Sequence, residues 1–330
     1  MPRPLVVVWR VTETCDLSCW FCEYNRRLRR PRQAARREDV LAFGKVLAEY
    51  AAASQRPVLV SWLGGEPLTW APLEAAGTRL HDELGLALGL TTNGWQLDRP
   101  GLIDHLAEMY AEITVSVDGL ATAHDAGRGA AGLFEQLRAG VGGLREIKQR
   151  RGHGPKLRAN TILMRSNLRS VEALCEELAT WGIEDVTFNT LGGQPPGPYY
   201  AQEHLQPEDV AWLRGELPGM RQRLLAGGLR LLGSARYLGR VGDAAAGVPA
   251  PVADCHPGAE FLFVDPAGRV APCSFTSGGY GVPSAQLRSA ADLAQLPARF
   301  AAERRRALAA ACHDCPSTQV SGKFEWAEAA

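Results

Sequence analysis

The chain has 330 residues, 46% of them apolar, and Lys plus Arg balance Asp plus Glu at 36 each. That is enough for one large domain and a smaller one, and the even charge excludes a global pull toward nucleic acid or membrane. No run of about 18 apolar residues and no signal peptide is present, so the eight cysteines read as metal ligands or reactive thiols in a cytoplasmic protein rather than as disulfides.

Leu5 to Trp9 is a short β-branched run that reads as a buried strand. It feeds Cys15-Asp-Leu-Ser-Cys19-Trp-Phe-Cys22, three thiols spaced to converge on one soft metal centre. A zinc ion would need a fourth local ligand, and the next His is His81. Three thiolates on a four-iron cube, by contrast, leave one iron open for a ligand that is not protein. Seven arginines crowd Arg26 to Arg37, readable as a solvated surface or as a docking patch for an anionic partner.

From there the pattern alternates. Helix is expected over about Glu38 to Ala53 and strand over Val58 to Leu63, ending in Gly64-Gly65-Glu66-Pro67. Helix Leu73 to Leu84 precedes strand Leu86 to Thr91, which ends in Thr92-Asn93-Gly94. Helix Pro100 to Tyr110 leads to strand Ile113 to Val117 and the turn Asp118-Gly119. Helix Leu133 to Arg150, strand Leu157 to Leu163, helix Val171 to Gly182 and strand Asp185 to Asn189 complete six strand–helix units. Such alternation predicts a parallel sheet with right-handed crossovers and a site at the carboxyl ends of the strands. It leaves open whether the sheet is a barrel or doubly wound.

After Asn189 the texture changes. A turn-rich loop, Gly192 to Tyr200, stands at the expected active face, and a helix is expected over about Pro207 to Leu225. The Ala/Gly/Pro-rich stretch Gly242 to Ala253 reads as a linker. Beyond it a β-hairpin built on Phe261 to Val264 and the turn Asp265-Pro-Ala-Gly268 has Cys255 before it and Cys273 after it, and Cys312-His-Asp-Cys315 comes much later. Two separated thiol pairs make a four-thiolate site, for zinc or for a cluster.

The Cys15, Cys19, Cys22 loop resembles the signature of radical S-adenosylmethionine (SAM) enzymes, with Phe21 at the family's aromatic position. The resemblance implies a partial (β/α)6 TIM-like barrel over residues 1–215, a helix and linker over 216–254, and a small cysteine-rich domain over 255–330. It implies a [4Fe–4S] cluster on the three thiolates, with SAM chelating the open iron and cleaved to a 5′-deoxyadenosyl radical. Gly64, Gly65, Glu66 and Pro67 resemble the Gly-Gly-Glu segment whose backbone meets the SAM amino group, and the backbone of Phe21 is expected to meet the adenine. Ser116 and Asp118 resemble the fourth-strand contacts to ribose and carboxylate, and strand alternation puts both on one face. A turn or capping role is the other reading of Asp118. Asn160 is a further SAM candidate, with Arg165 or Asn167 as helpers.

Cys255, Cys273, Cys312 and Cys315 look like the ligands of the auxiliary-cluster domain called SPASM, or of its shorter form, twitch. With no cysteine after Cys315, a single, fully ligated auxiliary [4Fe–4S] cluster is expected, suited to accepting an electron. His256 and His313 neighbour these ligands. Cys175, in the helix Val171 to Gly182, is a buried packing thiol or a hydrogen-atom donor to a substrate radical. The resemblance implies a flavodoxin or ferredoxin reductant. It implies oxidation of a small polar metabolite in biosynthesis or, alternatively, modification of a ribosomal peptide. Tyr199, Tyr200, Glu325 and Trp326 are candidate substrate contacts by position.

Overall fold

The computed structural model describes residues 3–192 and 198–326. Six strands carry the first two thirds of the chain: β1 (Leu5–Thr12), β2 (Val58–Gly64), β3 (Ala87–Thr92), β4 (Glu112–Ser116), β5 (Lys156–Leu163) and β6 (Asp185–Thr190). They pair in sequence order and every pair is parallel. A doubly wound sheet would reverse direction beside its first strand, whereas strict sequential order with right-handed crossovers lays all the helices on one face. The six units therefore form the expected partial TIM-like barrel, with an inner face left for ligands.

The connecting helices are α1 (Arg37–Ser54), α2 (Leu73–Thr78), α3 (Leu102–Met109), α4 (Ala121–Arg128), α5 (Leu133–Arg151) and α6 (Val171–Trp181). Burial alternates along the strands. In β5, Leu157, Ala159, Thr161 and Leu163 are buried toward the helices, while Arg158, Asn160 and Ile162 between them face the other way, into the lumen. In β1, Trp9 meets Phe43 of α1 edge to face at 5.6 Å, the contact that seats α1 on the sheet. The α4 segment falls where the sequence pattern showed no helix; its eight residues include only alanine as an apolar type, so no apolar stripe announces it.

Then come α7 (Pro198–Glu203), α8 (Pro207–Ala226), the short β7 (Arg230–Leu231) parallel to β6, and α9 (Ala235–Ala245). The expected linker thus begins inside a helix. Residues 193–197 of the expected substrate-rim loop lie outside the described residues.

The hairpin β8 (Phe261–Val264) and β9 (Arg269–Ala271), with β10 (Val282–Pro283), is not detached from the barrel. β8 runs parallel to β1 with Val6 opposite Phe261, so all ten strands form one sheet. Helices α10 (Ser277–Tyr280), α11 (Ala290–Ala294) and α12 (Leu296–Arg306) follow. The C-terminal tail then crosses to the opposite edge of the sheet, beyond β7. There Gly233 N–H donates to Glu325 O and Ser234 N–H to Gly322 O, both at 2.9 Å. No described helix is long and apolar enough to cross a membrane.

Candidate active site and its two thiol clusters

The cysteine loop leaves β1 at Thr12 and is held by polar contacts from four directions. Arg32 is the central staple: its guanidinium donates to the carbonyls of Glu13 (2.6 Å), Tyr24 (3.0 Å), Asn25 (2.6 Å) and Leu28 (3.4 Å). Asn25 in turn donates to the carbonyls of Ser18 and Cys19. Arg30 lies over the Tyr24 ring and near Glu13 and Glu23. Of the seven arginines read as surface or docking patch, Arg32 is therefore an internal brace, while Arg26, Arg27 and Arg29 are exposed.

Within the loop, Leu17 N–H donates to Cys15 Sγ at 3.4 Å and Tyr24 N–H to Cys22 Sγ at 3.3 Å. Burial pushes the Cys15 thiol up to about 12 and the Cys19 thiol up to about 11, and Cys19 raises Cys15 as Cys22 raises Cys19. Three thiols that sense one another and accept backbone N–H bonds suit a cluster, whose sulfurs are tuned by such hydrogen bonds. Among the described residues, no three His, Cys, Asp or Glu side chains converge tightly enough to hold a single metal ion.

The Gly64-Gly65-Glu66-Pro67 turn is built against this loop. A Cβ on Gly64 would stand 2.6 Å from Thr12 O, and one on Gly65 would strike Thr14 O, so both glycines are demanded by the chain's own backbone. Gly65 N–H donates to Thr12 O and Glu66 N–H to Thr14 O, both at 2.8 Å. The buried Glu66 carboxylate accepts from Leu68 N–H (3.1 Å), Thr92 Oγ1 (2.8 Å) and Asn93 N–H (2.7 Å). Burial pushes its pKa up to about 7 against these donors. Pro67 is buried at the start of a 3-10 turn, Pro67–Thr69. The Glu66 and Pro67 side chains are thus committed within the protein, which leaves the backbone as what this segment can offer a ligand. Half-buried Gly64 and Gly65 keep backbone facing the site.

The third-strand end proves to be a brace as well. Asn93 Nδ2 donates to Asp16 Oδ1 at 2.8 Å and reaches Cys15 Sγ at 3.7 Å, and Gln96 Nε2 donates to Asp16 Oδ2 at 2.9 Å.

Asp118 departs from its expected place. β4 ends at Ser116, and the Asp118 carboxylate is buried and occupied: Arg128 Nε donates to Oδ2 at 2.9 Å, and Ile162 N–H to Oδ1 at 2.8 Å. Its own N–H donates to His124 Nδ1, and Asn167 Nδ2 donates to its carbonyl. Asn167 is therefore a clamp between the β4 and β5 exits rather than a cofactor contact, and Arg165 pairs with Asp209. What Asp118 holds is Arg128, which the sequence reading missed. This guanidinium is 7% exposed, lies 5.6 Å over the Phe21 ring, and opposes the burial that raises Cys19 and Cys22. No sequence signal pointed to it, because the helix that carries it has no apolar stripe.

Ser116 and Asn160 pair in register on neighbouring strands and face the lumen. Asn160 Oδ1 accepts from Thr187 Oγ1 (3.1 Å) and from Lys323 Nζ (2.6 Å), a lysine also unforeseen. Tyr199 lies against Trp20 of the cysteine loop, with ring centroids 5.2 Å apart, while Tyr200 stacks on His204. Trp326 lies 6.0 Å from the Arg221 guanidinium, and Glu325 anchors the tail through its carbonyl. Cys175 is fully buried on α6, its thiol pushed up to about 12 by desolvation, and it packs in the helix layer. A hydrogen-donor role in the lumen does not survive that placement.

The second set also gathers. Burial raises the Cys255 thiol, and Cys315, Cys273 and Cys312 each raise it further. Arg304 opposes that rise and donates to Ala253 O, while Arg240 does both for Cys315 and its carbonyl. Cys273 Sγ lies 3.2 Å from Thr276 Oγ1. Four half-buried thiols flanked by two guanidiniums are a donor set suited to zinc or to a cluster. His256 is exposed and 3.3 Å from Asp254, outside this set.

The family model for the radical SAM superfamily matches residues 9–178, just over half of the chain, from within β1 to within α6. The chain belongs to the radical SAM superfamily. An AdoMet-dependent heme synthase of Methanosarcina barkeri is 26% identical over 82% of this chain and 77% of its own. A pre-heme d1 synthase of Dinoroseobacter shibae is 34% identical over 42% of this chain. The chain spans 48% of a second heme synthase, from Oleidesulfovibrio alaskensis, and a third of the D. shibae protein. Among solved structures, Streptococcus suis SuiB bound to its precursor peptide SuiA covers 95% of this chain and 70% of its own at TM-score 0.65 and 18% identity. The anSMEcpe structure with bound AdoMet covers 82% and 74% at TM-score 0.62 and 17% identity. At those identities the likeness is one of fold. Enzymes of this superfamily use a [4Fe–4S] cluster and SAM, and the three-thiol loop fits that requirement.

Proposed function

We propose that the chain is a two-cluster radical SAM enzyme that oxidises or otherwise modifies a small polar metabolite. The observation that carries this reading is the paired thiol sets, Cys15, Cys19 and Cys22 at the carboxyl ends of β1–β3 and Cys255, Cys273, Cys312 and Cys315 beside β8. Bound there, a [4Fe–4S] cluster with SAM supplies a carbon radical able to take hydrogen from an unactivated C–H bond, and a fully ligated auxiliary cluster supplies an electron acceptor.

The chain's own residues hold and shield that chemistry. Cys15, Cys19 and Cys22 ligate the first cluster, while Arg32, Asn25 and Asn93 keep their loop in one conformation. Phe21 and the half-buried backbone of Gly64 and Gly65 line the SAM side. Asp118 fixes Arg128, whose charge stabilises thiolates in a desolvated pocket. Ser116 and Asn160 offer lumen hydrogen bonds. Exposed Arg26, Arg27 and Arg29 suit an acidic electron carrier such as flavodoxin or ferredoxin. A peptide substrate is the second reading, favoured by the fold shared with SuiB in its peptide-bound form.

The test is anaerobic reconstitution with iron and sulfide analysis. Wild type should hold about eight irons, and Cys15/Cys19/Cys22→Ala about four with no reductive SAM cleavage. Replacing the four C-terminal cysteines should also leave about four irons, with SAM cleavage retained. Zinc in place of iron, or SAM cleavage surviving loss of the three N-terminal cysteines, would overturn the assignment.

A further inference from the structure

Arginine supplies nearly all of the 36 basic residues; only Lys45, Lys148, Lys156 and Lys323 are lysines. Three sit in ordinary surroundings: Lys45 is exposed, Lys148 pairs with Glu184, and Lys156 with Asp185, the last two at 2.6 Å. Lys323 does not. It belongs to the tail that closes the far edge of the sheet, is 6% exposed, and reaches from there to Asn160 Oδ1 on β5.

An ammonium carries three N–H donors. Asn160 takes one, and no further protein acceptor engages Lys323 Nζ among the described residues. The Phe324 ring lies 5.2 Å from Nζ, but no carboxylate is near enough to oppose burial, which pushes the Lys323 pKa down to about 7. A desolvated ammonium without a counter-ion is costly, and the cost is removed when an anion enters. The strand residues beside it are polar, and the charged Arg158, two residues before Asn160 on the same face, is already paired with Glu112 and Asp185. Ser116, Asn160 and Thr187 lie side by side in register, and Asn189, two residues beyond Thr187 on the same face, has a buried Oδ1 with no partner.

We propose that Lys323 is a substrate-binding residue whose two free N–H groups receive a carboxylate of the substrate inside the lumen. A single compact cation suits a monoanion. A phosphate dianion calls for several donors or a backbone nest, and none surrounds Lys323. The proposal rests on the lumen being the substrate chamber of the enzyme described above, and it narrows that substrate to a carboxylate-bearing molecule.

With four lysines, holoenzyme labelled with [ε-13C]lysine gives a short spectrum in which Lys323→Met identifies the Lys323 resonance. Glutarate, as the carboxylate probe, should shift that resonance saturably, and glutaramide, its neutral counterpart, should not. Lys323→Arg should bind glutarate within tenfold of wild type, Lys323→Met at least tenfold more weakly, and both should bind SAM as wild type does. A resonance unmoved by glutarate, or moved equally by glutaramide, overturns the proposal. Weakened SAM binding in Lys323→Met with a silent glutarate titration also overturns it, and gives the lysine to the cofactor. Iron analysis of the same samples reports separately on the two-cluster reading: zinc-loaded protein whose Lys323 still answers glutarate keeps the carboxylate site and loses the radical chemistry.

Discussion

His124 shows how one side chain can set a pH limit on the site. Its Nδ1 accepts from the Asp118 N–H, which requires the neutral ring, and desolvation with nearby Arg128 pushes its pKa down to about 4. An unfolded histidine titrates near 6.5. Between those values the unfolded chain binds the extra proton and the folded one does not. Stability is therefore full above about pH 6.5 and falls as pH drops toward 4, by roughly 3 kcal/mol in total. His124→Asn keeps an acceptor for Asp118 N–H and cannot titrate. Urea unfolding at pH 7.5 and 5 should show a smaller loss at low pH for the variant than for wild type. Equal losses would mean that other groups carry the acid sensitivity. The same locality explains what the sequence concealed here. The Asp118-Gly119 turn was legible, but that the carboxylate is turned inward onto Arg128 depends on a partner ten residues away along an unannounced helix.

At the scale of elements, the cysteine loop is an irregular segment made rigid by side chain–to–backbone bonds rather than by a ladder. Arg32 satisfies four carbonyls from a single guanidinium, a geometry that the planar fork of arginine permits and lysine does not. Arg32→Lys should therefore behave nearly as badly as Arg32→Ala. Each should lower stability by about 1–3 kcal/mol through unmet half-buried carbonyls of Glu13, Tyr24 and Asn25 and reduce iron bound at the first site. Arg27→Ala, removing an exposed side chain, should change neither. Iron content and thermal melts of the three variants decide it. Regular elements were readable because their periodicity is local: the boundaries of β2 and α5 fall within a residue of expectation. A loop staple is not periodic, and seven neighbouring arginines gave no sign of which one turns inward.

For the whole molecule, the C-terminal third acts on both edges of the barrel. β8 extends the sheet beyond β1, and the tail docks beyond β7, carrying Lys323 into the lumen. Gly322 is the hinge of that docking: its φ is +80°, and a side chain there would meet Ser234 Oγ and Glu325. Gly322→Val should release the tail, exposing residues 316–326 to limited proteolysis while the first cluster site still binds iron; a protease-resistant variant would show that the tail is held elsewhere. The hairpin was legible from its turn, but its attachment to β1 was not, because strand pairing across most of the chain leaves no trace in local pattern.

That attachment sets an order on synthesis. β1 emerges from the ribosome before the other described strands, and its outer edge has no partner until Phe261 to Val264 follow it. Between the synthesis of β1 and that of β8 the nascent chain presents an unpaired edge on a strongly apolar strand, the kind of surface that templates aggregation. Closing a contact of such sequence separation is also slow. The strand so exposed is the one that delivers the three N-terminal thiols. Coexpressed chaperones and slowed translation should therefore raise the yield of soluble protein more than a richer iron supply does.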